Sequence, residues 1–123
     1  MPRALHTVVE TLEFRRRIVK LLSQQELMDL IDHLAASPDA GEVMPGTGGA
    51  RKLRWRVQGK GKSGGARVIT FYSGPPVPVF LLSVFGKGEK SNLTKAECNE
   101  LRKVLGELVK AYREGVRKHV ESG

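Results

Sequence analysis

The spacing of apolar residues changes repeatedly along this chain, and each change predicts a new element. Leu5, Thr7, Val8, Val9, Thr11 and Leu12 form a β-branched segment, which predicts a first strand of about five residues. Leu12, Phe14, Ile18, Val19, Leu21 and Leu22 then recur at helical spacing. Arg15, Arg16, Arg17 and Lys20 fall between them and read as the solvated face of that helix. Ser23-Gln24-Gln25-Glu26 is a capping box and predicts a second helix start. Leu27, Leu30, Ile31 and Leu34 give this helix an apolar stripe, and Ser37-Pro38 ends it. His33 reads as a scaffold residue of the helix.

Residues 39–50 are turn-rich, and the period then changes to two. Leu53, Trp55 and Val57 fall on one side of a predicted strand, and Lys52, Arg54 and Arg56 on the other. Residues 58–65, QGKGKSGG, form a loop, and Ala66 to Tyr72 form the next strand with Arg67 at its start. After a turn at 73–76, Val77 to Phe85 is nearly continuously apolar and reads as a central strand. Strands joined by connections this short predict an antiparallel meander. A basic turn follows at Gly86 to Ser91, then a second capping box at Thr94-Lys95-Ala96-Glu97. Leu101, Val104, Leu105, Leu108, Tyr112 and Val116 mark the packed face of a closing helix, in which Cys98 and Tyr112 read as packing residues. The fold class is therefore α+β in the order β-α-α-β-β-β-α, with residues 1–123 as one domain.

Charge changes the picture more than composition does. The chain has 21 Lys and Arg against 13 Asp and Glu, a formal net charge of +8 and a pI near 10.0. Seven basic residues lie between Arg51 and Arg67 with no acidic residue among them. Such clustering points to a polyanionic partner, nucleic acid or an acidic protein. One cysteine excludes an intramolecular disulfide and a CxxC site. With no secretory signal and no apolar run of about 18 residues, a cytoplasmic chain without a membrane partner is expected.

The glycine-lysine loop tests poorly as a nucleotide motif. Residues 59–64, GKGKSG, match GxGxxG, yet a strand follows where a helix is required. Gly61-Lys62-Ser63 ends like a Walker A motif, but Arg56 occupies the place of its first glycine. His6, His33 and His119 are far apart, and Asp39, Glu42 and Glu89 are the only carboxylates flanking the basic stretch, so no metal site and no cofactor are expected. Nothing points to a Ser-His-Asp triad. A cationic sheet face can still promote RNA cleavage, because the 2′-hydroxyl is an internal nucleophile. An arginine fork suits the phosphorane oxygens, and a lysine crowded by other cations can serve as base. Lys52, Arg54, Lys60, Lys62 and Arg67 would supply such a cluster. Passive phosphate binding by the same residues is the equal alternative.

The string GTGGARKLRWRVQGKGKSGGARVITFY, followed by VFLLSVFGKGEKSNLT, resembles the RelE/ParE superfamily of bacterial toxins, in particular its HigB-type RelE-like branch. The resemblance spans roughly residues 5–115 and implies the compact RelE-like fold. It further implies a ribosome-dependent, metal-independent messenger-RNA endonuclease that inhibits translation. Its expected partners are the ribosome, mRNA and a silencing antitoxin, expected to be an adjacently encoded helix-turn-helix protein. Carried over by position, the catalytic set is Lys52 and Arg54 on the second strand, Arg67 opening the third, and Lys87 and Lys90 after the fourth. Arg51, Arg56, Lys60 and Lys62 would bind RNA phosphates. Where the family places a tyrosine this chain reads Asn92-Leu93-Thr94, so a lysine takes the role of base, with Tyr72 as the alternative. The other readings are a non-catalytic nucleic-acid-binding module and a ParE-like toxin acting on gyrase; the ParE branch lacks this basic set.

Overall fold

The computed structural model describes residues 5–56, 65–74, 77–86 and 93–122. The elements are β1 (Val8–Glu10), α1 (Leu12–Ile18), α2 (Gln24–Ala36), β2 (Glu42–Val43), β3 (Arg51–Trp55), β4 (Ala66–Phe71), β5 (Val79–Gly86) and α3 (Lys95–Ser122). They form an α+β fold around one five-stranded sheet of order β1-β5-β4-β3-β2. The expected meander is β3-β4-β5, antiparallel throughout. The first strand is shorter than the sequence suggests, and it pairs parallel to β5. The two-residue β2 is an addition, paired antiparallel to the start of β3.

Local chemistry sets the element ends. Thr11 caps α1: its hydroxyl accepts from Phe14 N and donates to Leu81 O at 2.7 Å, with Leu82 O at 3.1 Å. That residue therefore ends β1, starts α1 and ties both to β5. Both capping boxes form. Glu26 N donates to Ser23 Oγ at 3.1 Å while Ser23 N donates to Glu26 Oε1 at 2.8 Å. Thr94 and Glu97 repeat the exchange at 3.1 and 2.9 Å. Each box satisfies two of the amides that a helix start leaves without partners.

Strand alternation sends side chains into two cores, one on each face of the sheet. On one face Phe14, Ile18, Leu22, Leu30 and Leu34 of the helical hairpin pack on Ala66, Val68, Val79, Leu81 and Val84. On the other face α3 packs Leu101, Leu105, Leu108 and Tyr112 over Ile69, Phe71, Phe80, Leu82 and Phe85. β4 is buried along its whole length, which is why its sequence does not alternate. The pairing slips between Ile69 and Thr70: Ile69 faces Ser83 but Thr70 faces Leu81, so Leu82 is an extra residue on β5.

Candidate functional site: a cationic end of the sheet

Leu53 and Trp55 pack toward the α1/α2 core, so the side chains between them, Lys52 and Arg54, point to the α3 side. The same alternation on β4 puts Ala66 and Val68 toward α1/α2 and Arg67 toward the α3 side, in line with Ile69. The register sets Arg54 directly opposite Arg67, and Arg67 opposite Phe85 of β5. Like charges placed directly opposite one another on one face destabilise a sheet. Arg67 is only 9% exposed, and arginine is rarely so buried without a partner. Among the described residues neither guanidinium meets a carboxylate; the ion pair seen there, Arg17 with Glu13, is on α1. A methyl group added at Gly65 would lie 3.7 Å from Arg67 Nη1, so the fork runs back toward the start of β4. Arg54 is exposed and Arg67 nearly buried, so the register pair sets one solvent-facing and one sheltered arginine at this end of the sheet, and with no carboxylate on either among the described residues it can seat an anion.

Lys52 is the third cation of this face. It stands between Ile69 of β4 and Glu42 of β2 in the register, and with Glu42, Met44, Leu93 and Cys98 it lines a cavity of about 330 Å³ at the N-terminal end of α3, so a carboxylate borders the cationic face here. Cys98 is half-buried beside it, in keeping with a packing role.

A family model of the RelE toxin of the RelE/RelB toxin–antitoxin system matches residues 8–123. The chain belongs to the RelE toxin family. It is thus the toxin half of a toxin–antitoxin pair, and a RelB-type antitoxin is its implied partner. The resemblance seen in the sequence stands at the level of the superfamily.

Not every basic residue of the toxin's central stretch reaches the Arg54–Arg67 face. Arg51 shares the parity of Leu53 and Trp55; its Nη1 donates to Gly41 O at 3.0 Å on the opposite side. Arg56 follows the last residue of β3, where alternation no longer holds. It borders an opening at the start of α2 with Ser23, Glu26, Asp29 and Trp55. Tyr72 is also on the far side. Its hydroxyl is 3.4 Å from His6 Nδ1, and the two rings meet edge to face with centroids 5.3 Å apart. This places the alternative base away from the cations. His33 packs beside Trp55 with ring centroids 5.4 Å apart, as expected of a scaffold residue. Lys60, Lys62, Lys87, Lys90 and the strand position Val57 lie outside the described residues.

The glycines at 46–49 prove structural. Thr47 is wholly buried, donates to Met44 O at 2.7 Å and accepts from Ala50 N at 3.0 Å, which closes the loop between β2 and β3. Gly48 has φ of +80°, and a side chain there would come within 3.2 Å of Arg102 Cγ on α3. The loop thus lets α3 approach and fixes where β3, with Lys52 and Arg54, begins. A threonine amid glycines was the sequence signal for this closure. Among the described residues no group of three His, Cys, Asp or Glu converges as a metal site, and no helix is long and apolar enough to cross a membrane.

Proposed function

We propose that this RelE-family toxin is an endoribonuclease that cleaves messenger RNA on the ribosome and so arrests translation. The observation that carries the reading is the register pair Arg54–Arg67, with Arg67 nearly dry and neither arginine meeting a carboxylate among the described residues, in a chain of this family. The reaction is an internal transesterification. The 2′-oxygen attacks the adjacent phosphorus, the P–O5′ bond breaks, and the products carry a 2′,3′-cyclic phosphate and a 5′-hydroxyl. Arg67 binds two oxygens of the phosphorane, where charge builds in the transition state. Arg54 holds the same phosphate from the neighbouring strand. A lysine accepts the 2′ proton and a protonated lysine gives one to the departing 5′-oxygen: Lys52 stands on this face, and Lys87 and Lys90 follow β5 in the sequence. Lys60 and Lys62 follow β3 and add contacts along the RNA backbone. No step requires a metal ion or cofactor.

Induced expression of wild type and Arg67→Ala in a host lacking the antitoxin tests the reading. Wild type is expected to arrest growth and to create new 5′ ends within translated messages, and Arg67→Ala to do neither. Arrest by both proteins with intact messages would overturn it. Arrest with DNA damage would point to a gyrase-directed toxin, and salt-sensitive RNA binding without cleaved product to a binding module.

A further inference from the structure

β1 pairs with β5 only over Val79–Leu81, and Thr11 then turns the chain into α1. Beyond Leu82 that flank of β5 is bordered by helices: α1 from one face of the sheet and α3 from the other. A groove of about 270 Å³ opens between them. The bulge deepens it, because Leu82 and Ser83, consecutive residues that regular alternation would send to opposite faces, both line it. Leu101 and Val104 of α3 form its apolar wall, and Val104 is 43% exposed, unusual for a residue on a packed helix. Its rim carries three carboxylates, Glu13, Glu97 and Glu100, against one cation, Arg17, in a chain whose net charge is +8. Glu13 is tied to Arg17 at 2.8 Å, and Glu97 closes the α3 capping box. Glu100 is exposed and meets no cation among the described residues.

We propose that this groove docks the cognate antitoxin through a segment carrying apolar side chains for Leu101 and Val104 and a Lys or Arg for Glu100. The inference rests on family membership, which supplies the partner, and not on the cleavage chemistry. Carboxylates on the rim repel RNA, so the groove is not an extension of the nucleic-acid face. A peptide with an apolar stripe and a basic neighbour matches both wall and rim. The position also suits inhibition. Phe85 lines the groove and is the cross-strand neighbour of Arg67, and Leu93 lines both the groove and the Lys52 cavity. A segment seated here therefore lies beside the cationic end without needing acidic residues of its own at this contact.

The test uses the protein encoded in the adjacent reading frame as the probe. Calorimetric titration of the E100K/V104R toxin is expected to show affinity roughly tenfold or more below wild type. Met28→Glu, exposed on α2, serves as the control and should bind as wild type does. Unchanged affinity in E100K/V104R would overturn the proposal, whatever the RNA assays give. A photo-cross-linking residue at position 104, in the co-expressed complex, gives a readout that does not depend on that variant folding. A cross-link to an antitoxin segment containing Lys or Arg supports the assignment. A cross-link to a second copy of the toxin, to a ribosomal component, or to nothing refutes it.

Discussion

The two faces of the sheet are built from the same strands but solve different problems. The α1/α2 face is apolar where it is packed, from Val79 to Ala66, and two capped helices seal it. The α3 face is apolar over Ile69, Phe71, Phe80 and Phe85, and cationic at Arg54 and Arg67. A sheet that needed only to fold would continue the apolar pattern, since burying unpaired charge opposes folding. The α1/α2 face thus provides stability that lets the other face hold two opposed arginines. Variants on the two faces should separate stability from activity.

The largest expected effect is on the sealed face. Phe14 is fully buried between α1 and the sheet, and Phe14→Ala should lower unfolding free energy by about 3–5 kcal/mol in denaturant titrations. That is a large share of a typical domain's stability. A loss below about 1 kcal/mol would mean that this face is not the main source of stability. The counterpart is Arg67→Ala, expected to lower the cleavage rate by roughly 10²–10³-fold while leaving the melting transition in place or raising it. Arg67→Lys should recover only part of the rate, because an ammonium lacks the bidentate fork. Unfolding of Arg67→Ala at wild-type melting conditions would break the division between the faces.

Two smaller effects sharpen it. Ser23→Ala removes the α2 cap, and should cost ~1 kcal/mol with no change in cleavage by the protein that stays folded. Tyr72→Phe removes the contact with His6 on the sealed face, and should cost under about 1 kcal/mol. Its cleavage rate should stay within about twofold of wild type; a drop comparable to that of Arg67→Ala would restore Tyr72 as the base.

The helices and the meander were readable because their signals are local. Ser23 to Glu26 and Thr94 to Glu97 announce helix starts within four residues, and both boxes form. The alternation of Leu53 and Trp55 with Lys52 and Arg54 announced which side of β3 is charged. The parallel pairing of β1 with β5 was not legible, since it joins Val8 to Val79 across most of the chain. Nor was β2, whose two residues are held by the Met44–Ala50 closure and not by any strand propensity of their own. At the site, the side of Arg67 followed from its strand position, but its place opposite Arg54 needed the register. Arg51 shows the reverse. Its parity with Leu53 was visible, yet the density of basic residues around it suggested a shared face. Arg56 departs because β3 ends one residue before it. The groove beside Val104 depends on a bulge and on where β1 stops, and neither leaves a mark in the pattern.

The chemistry of the cut ends decides whether Arg67 serves attack by an internal 2′-hydroxyl. Purified toxin would be added to ribosomes translating a defined message, and the fragment termini identified for wild type, Tyr72→Phe and Arg67→Ala. Wild type and Tyr72→Phe are expected to leave 2′,3′-cyclic phosphate and 5′-hydroxyl ends, and a folded Arg67→Ala to leave roughly 10²–10³-fold fewer fragments. Fragments ending in 3′-hydroxyl and 5′-phosphate, or equal cleavage by Arg67→Ala, would contradict that role.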